Sequence, residues 1–171
     1  MMTRCIRKYY FKPLTRVVQE PRTFFNELKE NNEKSYIKAF GFVIFSSAIS
    51  ALAGTLMSGK INPLMMYSIF FVNAFGMVLI SVGIGYIFMR IIGGKSIEAY
   101  SFFSVYAFSC GTTLLLSWIP YSIWIIEPWK WWLIGTGLIR GCGLQLRQTL
   151  AIILFSISIM IVLFWFLLRI I

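Results

Sequence analysis

The chain has 171 residues and a formal net charge of +10; 58% of it is hydrophobic, 18% aromatic and only 13% charged. A soluble domain of this length could not bury so much apolar side chain, so lipid must solvate most of it, and there is room for four to six spans of about 20 residues. There is no His and no Asp, and the acids are Glu20, Glu27, Glu30, Glu33, Glu98 and Glu127, which excludes Ser-His-Asp and Cys-His arrangements, an HExxH metal helix and Asp-based phosphoryl transfer. Cys5, Cys110 and Cys142 are isolated, so they suggest neither a zinc site nor a disulfide framework and read as small apolar fillers. The expectation is a protein that is not an enzyme and holds no cofactor and no metal.

Residues 1–35 read as a basic amphipathic N-terminal arm. Nine of the sixteen cations lie between Arg4 and Lys38, against four Glu. No signal peptide is expected, because the first long apolar run begins only near residue 37. Pro13 and Pro21 can each open a short helix, since proline at the first helical position loses no hydrogen bond. In PRTFFNELKE, Phe24, Phe25 and Leu28 share one side, the pattern of a helix lying in the membrane interface; the alternative is that they cap the membrane helices from below. The first sixteen residues carry five cations and no acid, so anionic lipid headgroups are an expected partner, attracted at roughly 1 kcal/mol per cation near the surface. Nucleic acid is not expected.

Residues 36–171 read as a five-helix transmembrane domain with spans at about 36–57, 63–92, 99–119, 129–146 and 149–168. In the first, Ser46, Ser50 and Gly54 recur every four residues and make a face for helix packing. The second holds Asn73, whose amide needs a partner in hydrocarbon; it reads as structural glue or as part of a transport site. The third holds Ser109, Thr112 and Thr113 in a hydroxyl patch with Ser104 and Tyr106. Pro120 ends or kinks it, and a Trp-rich connection suits a membrane surface. The fourth begins near Trp129 and carries Gly137-xxx-Gly141, the spacing of a close membrane contact, or glycines that only loosen a turn. Glu127 and Lys130 read as a solvated surface pair.

With five spans and a cytoplasmic N-terminus, thirteen cations fall inside, and Lys60, Lys130 and Arg169 outside, in keeping with the positive-inside rule. A re-entrant fourth segment would make the split eleven against five, a weaker bias. The fold class is therefore an all-α membrane protein, a bundle of five transmembrane helices with an N-terminal amphipathic cytoplasmic or interfacial arm and its C-terminus outside.

RVVQEPRTFFNELKE, the Gly93-Gly94 turn followed by SIEAYSFFSVYAFS, and WWLIGTGLIRGCGLQLRQTLA resemble the corresponding blocks of Yip1-domain membrane proteins. The resemblance implies a five-helix domain with a cytoplasmic N-terminus and no known enzymatic activity. In eukaryotes its roles include vesicle-traffic factors that bind small GTPases, and some prokaryotic members look like accessory proteins of ATP-driven exporters. The short arm fits the prokaryotic layout, hence a cytoplasmic membrane. The expected function is a scaffold or accessory subunit whose partners are other membrane proteins or a second copy of itself; the alternative is a small transporter or lipid-handling protein.

Overall fold

The computed structural model describes residues 12–30, 32–59, 62–93, 98–117, 119 and 122–170. Among them run seven helices: α1 (Lys12–Gln19), α2 (Pro21–Glu30), α3 (Asn32–Ser58), α4 (Pro63–Gly93), α5 (Ala99–Leu114), α6 (Ile123–Arg140) and α7 (Leu146–Ile170). Pro21 and Pro63 open α2 and α4, where a missing N–H is harmless. Gly59, with φ +57°, follows the end of α3 in the left-handed region that a glycine adopts without steric cost. At the start of α7 the Gln148 side chain accepts from the Gln145 N–H at 3.3 Å, the reaching-back half of a capping box.

The bundle is built around α5. Phe102 and every residue from Ser104 to Thr113 are buried, because α3, α4 and α6 pack along this helix while α1 and α2 pass against it as well. Phe108 receives Phe24 of α2 and Phe42 of α3, with ring centroids 5.0 and 5.3 Å away. Phe102 stacks on Tyr106 at 4.7 Å and meets Tyr86 of α4 edge-on at 5.7 Å. Lipid is as apolar as these rings, so interlocking shape rather than water exclusion holds the helices together.

Among the described residues three helical stretches are long and apolar enough to cross a membrane: Ser35–Ser58, Pro63–Ile92 and Leu146–Leu163. The expected five are not reached on length and composition. With 16 residues, α5 is about 24 Å long, short of a hydrocarbon core of about 30 Å, and α6 carries Glu127, Lys130 and Arg140 in 18 residues. The helix boundaries also differ from the expected ones. Pro128 lies inside α6 rather than before it, and α5 gives way to turns after Leu114, ahead of residue 119.

Candidate functional site

Gly137 of α6 and Gly141, which caps its C-terminus, make a close helix contact. A Cβ on Gly137 would overlap Val105 Cγ1 of α5 and come within 3.2 Å of the Phe25 ring of α2. One on Gly141 would stand 3.1 Å from Val105 Cγ2 and 3.5 Å from the Phe25 carbonyl oxygen. The Gly137-xxx-Gly141 spacing is thus used inside the chain, to seat one valine and one phenylalanine. Phe25 is wholly buried, and Phe24 and Leu28 are each 9% exposed. These three apolar arm residues turn inward and cap the bundle; the apolar face of α2 is covered by α5 and α6 rather than by lipid. An ion pair ties the arm together, Arg16 Nη1 and Nη2 reaching the two Glu27 oxygens at 2.6 and 3.2 Å.

The small residues of α3 divide between two neighbours. Ser46 Oγ lies 3.3 Å from where a Cβ on Gly111 of α5 would be, with Phe42 closer still at 2.8 Å. Ser50 Oγ is 3.4 Å from Ser117 Oγ, while Gly54 faces the Phe70 ring of α4 at 3.4 Å.

The hydroxyls of α5 fall into two sets. Thr112 donates to the Phe108 carbonyl at 2.7 Å, Thr113 to that of Cys110 at 2.9 Å and Ser104 to that of Tyr100 at 2.8 Å, so each closes on its own helix. Ser109 and Tyr106 do not; their oxygens, like those of Ser46, Ser47, Thr149 and Ser156, are buried and unbonded among the described residues. Tyr106 lies over Gly85 of α4, where its Cζ is 2.6 Å from a notional Cβ. The Ser156 hydroxyl of α7 faces the phenol without reaching hydrogen-bond geometry.

Asn73 is not part of this patch. It is exposed on the outer face of α4, so the amide and the α5 hydroxyls expected to share a site are not brought together. The Glu127–Lys130 pair is less solvated than expected: Nζ is 2.6 Å from Glu127 Oε2, and the lysine side chain is only 13% exposed against 47% for the glutamate. The ammonium also lies 5.1 Å from the Trp131 ring centroid. Gly85 and Ser156 escaped the sequence reading. Nothing distinguishes Gly85 from the neighbouring Gly83 in sequence, or Ser156 from Ser158 in the same aliphatic run.

Long apolar helices, a core of interlocked aromatics and glycine seams define an all-helical integral membrane protein. The family model described as the Yip1 domain matches residues 15–168, nearly the whole chain. The chain belongs to the Yip1 domain family, whose members are generally non-enzymatic membrane proteins. No curated protein and no solved structure matches it.

Proposed function

We propose that the protein is a non-catalytic scaffold or accessory subunit of a membrane complex, for example an ATP-driven exporter, in a prokaryotic cytoplasmic membrane. The observation that carries this reading is that the core glycines Gly85, Gly111, Gly137 and Gly141 are taken up by close helix packing, while Ser104, Thr112 and Thr113 bond back to their own helix. The acids Glu20, Glu27, Glu30 and Glu33 lie in the arm, and Glu98 and Glu127 lie near the starts of α5 and α6. In this reading α5 and α6 complete a five-span bundle. Turns, Trp side chains and a snorkelling Arg140 extend them to the interfaces, the arm lies on the anionic cytoplasmic surface, and the C-terminus is outside.

Purification of the tagged protein from its own host in native nanodiscs, followed by mass spectrometry, tests the function. A stoichiometric membrane partner is the expected result; recovery with lipid alone would overturn it. The second reading, a small transporter or lipid-handling protein, draws on the unbonded buried hydroxyls of Tyr106, Ser109 and Ser156. Proteoliposome uptake or lipid movement that disappears in Tyr106→Phe or Ser156→Ala would favour it.

A further inference from the structure

Helix α4 has two seams. The inner one, Val78, Val82, Gly85 and Met89, is buried against the bundle at spacings of four, three and four residues. On the opposite side Ile69, Asn73, Gly76, Ile80, Gly83 and Ile87 follow the same alternation of four and three, which keeps them on one narrow stripe of a 3.6-residue helix. Among the described residues nothing covers this stripe. Ile69, Ile80 and Ile87 are 48%, 49% and 58% exposed, and a Cβ on Gly76 or Gly83 would meet nothing within 4 Å. From residue 69 to 87 it runs about 27 Å, close to the thickness of the hydrocarbon.

Asn73 decides what covers it. It lies on the stripe within a continuous apolar span, Pro63–Ile92, and no described residue bonds its amide, so facing lipid would leave two donors and an acceptor unmatched. We infer that this face of α4 pairs with the same face of a second copy of the chain, as a parallel, left-handed helix pair with Asn73 opposite Asn73. A second copy inserted with the same topology brings its own Asn73 to the same depth. An amide is also complementary to itself: each N–H donates to the other's carbonyl across the two-fold axis. A single Asn in a heptad seam sets register and favours a dimer, and Gly76 and Gly83 let the two backbones approach. The inference requires that α4 cross the bilayer and does not depend on any heterologous partner.

The test uses the full-length protein in liposomes, with dimer fraction read by single-molecule photobleaching at falling protein-to-lipid ratio, beside cysteine cross-linking in native membranes. Wild type is expected to dimerise, and Asn73→Leu to need about tenfold higher density for the same dimer fraction. Gly83→Ile should also weaken the pair, while Leu163→Ala, exposed on α7, should not. Ile80→Cys should give disulfide-linked dimers, and Leu154→Cys, also exposed on α7, should not. Because Asn73 has no described partner inside the chain, its variant should keep the wild-type unfolding midpoint at dilutions where both proteins are monomeric. A monomer at all densities, a dimer indifferent to Asn73→Leu, or Ile80→Cys linking only to a different protein would each overturn the pairing.

Discussion

The phenol of Tyr106 occupies the space that a side chain at Gly85 would need. A Cβ at position 85 would overlap the hydroxyl oxygen, with Cζ 2.6 Å away and Phe102 Cζ at 3.2 Å. Glycine at 85 thus sets how closely α4 approaches α5, and the aromatic stack of Phe102 on Tyr106 fills the gap it leaves.

Gly85→Ala is expected to destabilise the fold by about 1–3 kcal/mol, the usual cost of overpacking a filled core, measured as a lower midpoint of unfolding in SDS-titrated mixed micelles. Tyr106→Phe alone should be nearly neutral, because the hydroxyl it removes is buried with no bonding partner among the described residues. In Gly85→Ala/Tyr106→Phe, part of the loss should return, since the nearest clashing atom is gone. A double variant that merely adds the two single effects would show that the positions are not coupled.

On α6 the comparable position is Gly137. Gly137→Ala drives a methyl into Val105 and the Phe25 ring, so it should loosen α2 as well as lower stability by about 1–3 kcal/mol. Limited trypsin digestion at Arg22, which is exposed on α2, should become faster. Adding Val105→Ala should restore part of the stability and slow the cleavage again. Unchanged proteolysis in Gly137→Ala would mean that α2 does not depend on this contact.

The spacing of Gly137 and Gly141 and the proline starts of α2 and α4 were readable from residue types alone. They rest on local rules of backbone freedom and hydrogen bonding. Other features are decided by neighbours. An amphipathic pattern announced that Phe24, Phe25 and Leu28 share a face, but what covers a face is a tertiary fact, and here it is α5 and α6. The sequence places the start of the fourth span near Trp129, just after Pro128, whereas α6 begins at Ile123. Proline is tolerated early in a helix, and on an exposed turn the carbonyl of Trp124 can lose its partner at small cost. Asn73 was recognised as needing a partner, yet its face could not be known until α3, α5 and α7 were seen on other sides of α4.

Two substitutions in the arm should differ several-fold in cost. Phe25 is wholly buried, so Phe25→Ala removes its ring from between α5 and α6 and should cost about 3–5 kcal/mol. Arg16→Ala breaks an ion pair whose side chains are each about half exposed, and should cost about 0.2–1 kcal/mol, less at high salt. Equal losses in SDS-titrated unfolding would contradict the inward docking of α2.

Glu127→Gln should cost about 1 kcal/mol, because it leaves the ammonium of a largely enclosed Lys130 beside the Trp131 face without its carboxylate. The half-exposed glutamate keeps the penalty well below that of a deeply buried pair. Replacing both residues, Glu127→Gln with Lys130→Met, should recover most of the loss, since an apolar side chain suits the same place. A double variant less stable than Glu127→Gln would assign the ammonium a further role at that position.

Topology provides the last prediction. If α5 and α6 each cross the bilayer, the turn carrying Ser122 lies outside, and the α4–α5 and α6–α7 turns lie inside with Arg90 and Arg147. Single cysteines placed at Glu98, Ser122, Arg147 and Arg169 of the otherwise cysteine-free protein are then expected to react with an impermeant maleimide in the order inside, outside, inside, outside. Each of these four residues is exposed apart from the half-buried Ser122, so labelling reports the side of the membrane rather than burial. The short length of α5 makes the experiment decisive. If the α5–α6 pair dips into the membrane and returns, Ser122 would lie at membrane depth and resist labelling from outside. Only α3, α4 and α7 would then span, and Arg147 and Arg169 would still lie on opposite sides. Labelling of Ser122 from outside therefore separates five spans from three.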